Sequence, residues 1–203
     1  MIQFFRTGLL AFSLLFALAM PALAQKVRLS TTQGDIVIEL EAQKAPKTVA
    51  NFLEYVAAKH YDGTIFHRVI SNFMIQGGGF KPDMSQKNTR PAIALESRSG
   101  LTNLRGTVSM ARTAAPDSAT SQFFINVVDN NFLDATNARD GNGYAVFGKV
   151  VLGMDVVDRI RLQAVGTSAG QENVPRQAPP CRRRRNRCHR EHWSRQGSCC
   201  PPR

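Results

Sequence analysis

Short apolar runs, most alternating with polar residues and cut by glycine-bearing turns, fill the body of this chain and point to a mainly β fold. Val27, Leu29 and Thr31 alternate in the first run. Ile36, Ile38 and Leu40 alternate in the next, DIVIEL, and Gln33-Gly34 between the two marks a hairpin. Thr64–Ile70, Asn72–Gln76, Ile93–Leu95, Gly106–Arg112, Gln122–Val127 and Ala145–Val150 continue the series as strands. Only two stretches have helical spacing. Ala45-Pro46 opens one, with Val49, Phe52, Leu53 and Val56 on a single face; Gly153–Leu162 is the other, carrying Met154, Val157 and Ile160. Seven or so short strands with two helices predict a closed antiparallel barrel capped by helices.

The two ends of the chain differ from this body. Residues 1–24 carry one cation, Arg6, then an apolar run from Thr7 to Met20, then Ala22-Leu23-Ala24. The run is shorter than the ~20 residues that span a bilayer, and the small residues suit a cleavage site, so the segment reads as a secretory signal peptide. The mature protein is expected to start near Gln25 and to lie in the periplasm, off the membrane once the signal is cut. The body, residues 25–170, has 16 Lys/Arg against 13 Asp/Glu, whereas residues 171–203 have 9 Arg against 2 Glu. The basic character of the chain therefore belongs mostly to the tail, and no nucleic-acid partner is expected for the body. All four cysteines, Cys181, Cys188, Cys199 and Cys200, also lie in the tail, so the body has no disulfide scaffold and no thiol nucleophile.

The tail from Arg176 to Arg203 lacks hydrophobic periodicity and reads as disordered. Its Arg182–Arg185 run suits a polyanion. Its Cys and His residues suit zinc but lack paired ligand spacing. Patternless Arg-, Pro- and Cys-rich text is also what a shifted reading frame of a GC-rich gene produces, and a frameshift near codon 176 is one hypothesis for it.

The chemistry-bearing segment is FHRVISNFMIQGG, residues 66–78. If the strand is regular, Phe66, Arg68 and Ile70 share one face and His67 and Val69 the other. A cation between two apolar neighbours needs a purpose or a partner. Phe73, Met74 and Gln76 follow at once. SQFFINV (121–127) puts Gln122, Phe124 and Asn126 on one face, NFLD adds Phe132 and Leu133, and GYAVFGKV adds Tyr144. One cation, two amides and several large apolar groups make a poor hydrolase: no Ser-His-Asp set, paired carboxylates or metal set accompanies them. Gly77-Gly78-Gly79 reads as a turn, because no Lys-Ser/Thr pair follows to make it a phosphate loop.

The segments FHRVISNFMIQGG, SATSQFFINV and GYAVFGKV resemble the cyclophilin family of peptidyl-prolyl cis–trans isomerases, in its exported bacterial branch. The resemblance runs from about Val27 to about Val174. It implies a closed eight-stranded antiparallel barrel with a helix over each open end, and isomerisation of X–Pro bonds without a cofactor. It implies that Arg68 is the catalytic residue, assisted by Gln76, and that Gln76 and Gln122 hydrogen-bond Arg68 or the substrate backbone. Phe73, Met74, Phe124 and Leu133 would line the proline pocket, with Phe132 and Tyr144 beside them. The main chain of Ala111 and Arg112 would carry the residue before proline. The partners implied are proline-containing peptides and unfolded exported proteins, and a monomer is expected.

Three departures from the family pattern carry expectations. Phe132 stands where better-known members have Trp, which goes with weak cyclosporin binding. Arg112 stands where many have Asn; because that position meets substrate through its main chain, little effect is expected. Family members end in an apolar strand that closes the barrel, and residues 176–203 contain nothing strand-like, so that strand is expected to be missing. Two other functions compete with the enzyme: a peptide-binding, chaperone-like module with little turnover, and a polyanion binder acting through the tail.

Overall fold

In a computed structural model, residues 25–176 can be described. The expectations placed on residues 1–24 and on the tail beyond Arg176, including the missing closing strand, lie outside the described residues.

The hairpin forms as its alternation requires. Strand β1 (Lys26–Thr31) pairs antiparallel with β2 (Gly34–Leu40), Val27 opposite Ile38 and Leu29 opposite Ile36, so the apolar residues of both strands fall on one face. Helix α1 (Pro46–Ala57) follows, with Pro46 in its first turn, where a missing N–H costs nothing. Its orphan N-terminal donors are capped from far along the chain: the Glu96 carboxylate accepts from the Lys47 N–H at 3.1 Å, and from the N–H and hydroxyl of Thr48 at 2.8 Å each. Val49, Phe52 and Tyr55 form its buried face.

Strands β3 (Arg68–Ile70), β4 (Met74–Gly77), β5 (Thr107–Met110), β6 (Phe123–Asn126) and β7 (Val146–Leu152) complete one antiparallel sheet, in the order β1-β2-β7-β5-β6-β4-β3. Helix α2 (Met154–Arg161) buries Val156, Val157 and Ile160. Strands β8 (Val165–Ser168) and β9 (Gln171–Pro175) make a separate two-stranded hairpin.

The expected eight-stranded closed barrel is thus corrected, among the described residues, to a curled seven-stranded sheet and a hairpin beside it. The two helices are where the 3.6-residue spacing put them. The strand expected over 64–70 shrinks to Arg68–Ile70, and Phe66 does not share a face with Arg68: it packs into the main core, edge-on to Phe123 at 6.4 Å. Ile93–Leu95 forms no strand, only a single bridge from Ile93 to Ala119. The β8–β9 hairpin went unrecognised because VGTS and QENVP have little apolar alternation to reveal them.

The main core lies on one face of the sheet, where Ile36, Ile38, Val69, Ile75, Val108, Ile125 and Phe147 meet Phe52 and Tyr55 of α1. Strands β4 and β6 are buried on both faces, which is why their sequences read as continuous apolar runs. A second, smaller cluster, Met74, Phe124 and Leu133, covers their other face.

Candidate active site

The pairing register builds the site. Arg68 lies opposite Gln76 across β3–β4, Gln76 opposite Phe124 across β4–β6, and Phe124 opposite Ser109 across β6–β5. Side chains in such a row share one face, so a cation, an amide and a phenyl ring from three strands stand side by side. One step along, Ile70, Met74 and Asn126 form the parallel row. Period-two alternation sends Val69, Ile75 and Ile125 to the core and these residues to the opposite face.

Met74, Phe124 and Leu133 form the buried floor of this second cluster, and Ile70, Phe73, Ala111 and Tyr144 flank it. Tyr144 meets Phe124 edge-on at 5.6 Å. Phe73 stacks on Phe132 at 5.7 Å, and Phe132 is 58% exposed, an aromatic at the rim rather than in the core. Every apolar residue expected at the site is therefore in one cluster or stacked against it.

The polar groups are linked in series. Arg68 is exposed; its Nη1 donates to Gln76 Oε1 at 3.5 Å, the outer limit of a hydrogen bond, and no carboxylate among the described residues pairs with it. Most of its five donors are thus available to a ligand. Gln76 Nε2 donates to Gln122 Oε1 at 2.9 Å, so Gln122 reaches Arg68 only through Gln76. The Gln122 side chain lies across Gly79, where an added Cβ would stand 2.6 Å from Cγ and 2.8 Å from Cδ. Gly79 is needed as a bare backbone on which the amide rests, a role that a triple-glycine turn does not reveal.

His67, which precedes β3, is buried with its ring 4.5 Å from that of Phe80. Burial, with the Arg68 charge adding to it, lowers its pKa to about 4, so the ring is neutral at physiological pH.

Behind the apolar floor runs a buried polar network. Asp134 Oδ1 accepts from the Asn103 N–H at 2.7 Å and from Asn103 Nδ2 at 2.8 Å. Asn103 Oδ1 accepts from Ser109 Oγ at 2.7 Å and Asn126 Nδ2 at 3.3 Å. Asn130 Nδ2 donates to Asn126 Oδ1 at 2.8 Å and to the Phe73 carbonyl at 2.9 Å. This network holds the Phe73 loop and the single 3₁₀ turn Asn131–Leu133 against the sheet. Of its members, sequence reasoning had singled out only Asn126, since isolated Asn residues in loops carry no periodic signal.

Arg112, expected to act through its main chain, has a buried side chain with partners of its own. Its side chain is 3% exposed although the residue as a whole is half-buried, so its main chain faces outward and its guanidinium inward. Nε donates to the Gly143 carbonyl at 2.8 Å, Nη1 to Thr113 at 2.9 Å and Ala114 at 3.4 Å, and Nη2 to Asp140 Oδ2. The guanidinium also lies 4.6 Å from the centre of the Tyr144 ring. Among the described residues, no group of three His, Cys, Asp or Glu is placed to hold a metal ion, and no helix is long and apolar enough to cross a membrane.

A curled antiparallel sheet with two helices carries, on one face, a guanidinium without a carboxylate partner among the described residues and two linked amides beside an apolar floor. Comparison with known proteins gives the family. Residues 26–180 match the model of the family described as cyclophilin type peptidyl-prolyl cis-trans isomerase/CLD. The chain is 55% identical over 152 residues to peptidyl-prolyl cis-trans isomerase B of Escherichia coli (74% of this chain, 93% of that protein). It is 59% identical over 150 residues to peptidyl-prolyl cis-trans isomerase cyp18 of Streptomyces antibioticus (73% and 90%). A crystal structure of a Cryptosporidium parvum cyclophilin type peptidyl-prolyl cis-trans isomerase, obtained in the presence of the dipeptide Ala-Pro, superposes with a TM-score of 0.65 at 29% identity, covering 77% of this chain and 95% of that one. The chain belongs to the cyclophilin-type peptidyl-prolyl cis–trans isomerase family. Its activity is that of the family: isomerisation of peptidyl-prolyl bonds.

Proposed function

We propose that Arg68 catalyses this rotation, that Met74, Phe124 and Leu133 grip the proline ring, and that the clients are exported proteins. The carrying observation is the cross-strand row that sets an unpaired guanidinium beside Gln76 and Phe124.

Rotation about a peptide bond meets a barrier of about 18–20 kcal/mol, because the nitrogen lone pair is shared with the carbonyl. Uncatalysed X–Pro exchange takes about 10–100 s. A millionfold acceleration requires about 8 kcal/mol off that barrier. In the twisted state the lone pair is localised on nitrogen and can accept a hydrogen bond. A guanidinium aimed at that nitrogen binds the twisted state better than either planar state, and arginine stays charged at any working pH. Gln76 holds one edge of the guanidinium, and Gln122 holds Gln76, so the fork is aimed before substrate arrives. The apolar floor fixes the ring and strips water from the amide, which strengthens the Arg68 contact. The outward main chain of Arg112, next to Ala111 whose N–H is held by the Gln122 carbonyl, offers hydrogen-bonding groups to the residue before proline. Proline-containing peptides suit this cleft, and the Ala-Pro dipeptide used with the Cryptosporidium relative supports the choice.

The exported setting rests on residues 1–24: N-terminal sequencing of the protein from periplasmic extract is expected to start at Gln25. For the mechanism, NMR exchange between the cis and trans forms of an Ala-X-Pro-Phe peptide is measured with wild type and Arg68→Ala. The variant is expected to lose isomerisation at least a hundredfold while peptide-induced shifts around Met74 and Phe124 remain. Undiminished exchange in Arg68→Ala refutes the assignment; weak exchange in both proteins with intact peptide binding favours the chaperone-like module.

A further inference from the structure

We propose that Asp140 is a positioning residue: through the buried Arg112 guanidinium it latches the 140–144 loop to the end of β5 and thereby sets the affinity of the cleft for substrate. The inference rests on the cleft of residues 70–144 being the isomerase site.

Arg112 joins two segments, 112–114 and 140–144. Toward its own chain it binds the carbonyls of Thr113 and Ala114; across the gap it binds the Gly143 carbonyl and the Asp140 carboxylate; between them its planar head covers the Tyr144 ring. Four acceptors and an aromatic face satisfy a guanidinium that is almost wholly out of water, and that is the condition on which a buried cation is tolerated. Asp140 supplies the only charge among those partners. Its other oxygen turns back into its own loop, accepting from the N–H groups of Asn142 at 3.0 Å and Gly143 at 3.2 Å. One carboxylate thus both shapes the loop and anchors it.

What the loop delivers is part of the cleft. Tyr144 follows Gly143 directly, and its N–H donates to the Leu133 carbonyl at 2.9 Å. Gly143 has φ +63°, and a Cβ there would stand 2.6 Å from the Leu133 carbonyl oxygen and the Ala135 nitrogen, so the loop sits tight against the 3₁₀ turn. Leu133 is floor and Tyr144 is wall, edge-on to Phe124. On the other side of the latch Ala111, also part of the cluster, is tied by its N–H to the Gln122 carbonyl at 2.9 Å. Arg112 therefore fixes the separation of two walls of one cleft, and Asp140 fixes Arg112. The side-chain bonds of the Arg68–Gln76–Gln122 series involve neither Arg112 nor Asp140; its one link to the latch is the Gln122 carbonyl on the Ala111 N–H. Loss of the latch should loosen ground state and transition state alike, raising KM with kcat unchanged.

The test compares wild type, Asp140→Asn and Asp140→Glu in steady-state isomerisation of Ala-X-Pro-Phe peptides, with thermal unfolding recorded for each and Arg68→Ala as a control. Asp140→Asn is expected to raise KM about three- to fivefold, the range for an ion pair with one exposed partner. Its kcat should stay within twofold of wild type, and Asp140→Glu should recover most of the affinity. An unchanged KM in Asp140→Asn overturns the proposal. So does a fall in kcat that tracks lost thermal stability, which would mark a purely structural role. A fully active Arg68→Ala would instead remove the catalytic assignment; KM of the Asp140 variants would still report on the latch.

Discussion

Gly79→Ala tests whether the amide series holds the Arg68 guanidinium. The new methyl would stand 2.6 Å from Gln122 Cγ and 2.8 Å from Cδ and Nε2. Carbon atoms rest at about 3.5–4.0 Å, so the Gln122 side chain has to move by roughly 1 Å. Its 2.9 Å bond from Gln76 cannot survive that displacement. A net hydrogen bond is worth about 0.5–1.5 kcal/mol, and if the whole loss falls on the transition state kcat/KM drops by about two- to twelvefold. Stability should fall by no more than about that one bond, because Gly79 is not among the positive-φ residues and Ala there restricts the unfolded chain, which offsets part of the loss. The assay is coupled isomerisation of an X–Pro peptide, with a denaturation curve for each protein. The cycle is closed in a Gln122→Ala background, where the three nearest atoms to the methyl are gone and Gly79→Ala should have little further effect. Wild-type kcat/KM in Gly79→Ala, or the same loss in both backgrounds, would refute the idea that Gln122 acts through Gln76.

Three further outcomes are expected. Asn103→Ala removes a donor from Asp134 and an acceptor from Ser109 and Asn126; it should cost about 2–4 kcal/mol in urea denaturation, and a cost below about 1 kcal/mol would show the network to be dispensable. His67 is neutral in the fold down to about pH 4 but titrates near 6.5 when unfolded. The unfolded state thus binds the extra proton first, and stability should fall as pH drops from 6.5 to 4, by on the order of 3 kcal/mol. His60, also lowered chiefly by burial, acts in the same direction, so His67→Asn should reduce the slope without abolishing it; an unaltered slope would contradict the assignment. Cyclosporin should inhibit weakly, since Phe132 offers a ring at the rim but no indole N–H, and tight inhibition in a dose–response assay would contradict this.

The sequence alone determined both helices, most of the strands and the candidate residues that stand in them. Period-two alternation marks a strand wherever one face is buried, as in VRLST and DIVIEL, and 3.6-residue spacing marked both helices, because each is decided by neighbours within a few positions. Arg68, Gln76, Phe124 and Tyr144 were recognisable for the same reason, each sitting in a continuous stretch of distinctive text. Only the tertiary structure decided how those stretches pair. Register across β3, β4, β6 and β5 set Arg68 beside Gln76 and Phe124, and took Phe66 away from them into the core. It also gave work to residues with no local signature: Gly79 beneath Gln122, Asn103 between Asp134 and Ser109, Asp140 on Arg112. Each of these acts through a partner 28 to 43 positions away, Asn103 also through one six positions on across a turn, and loop geometry, not local propensity, brings such partners within bonding distance.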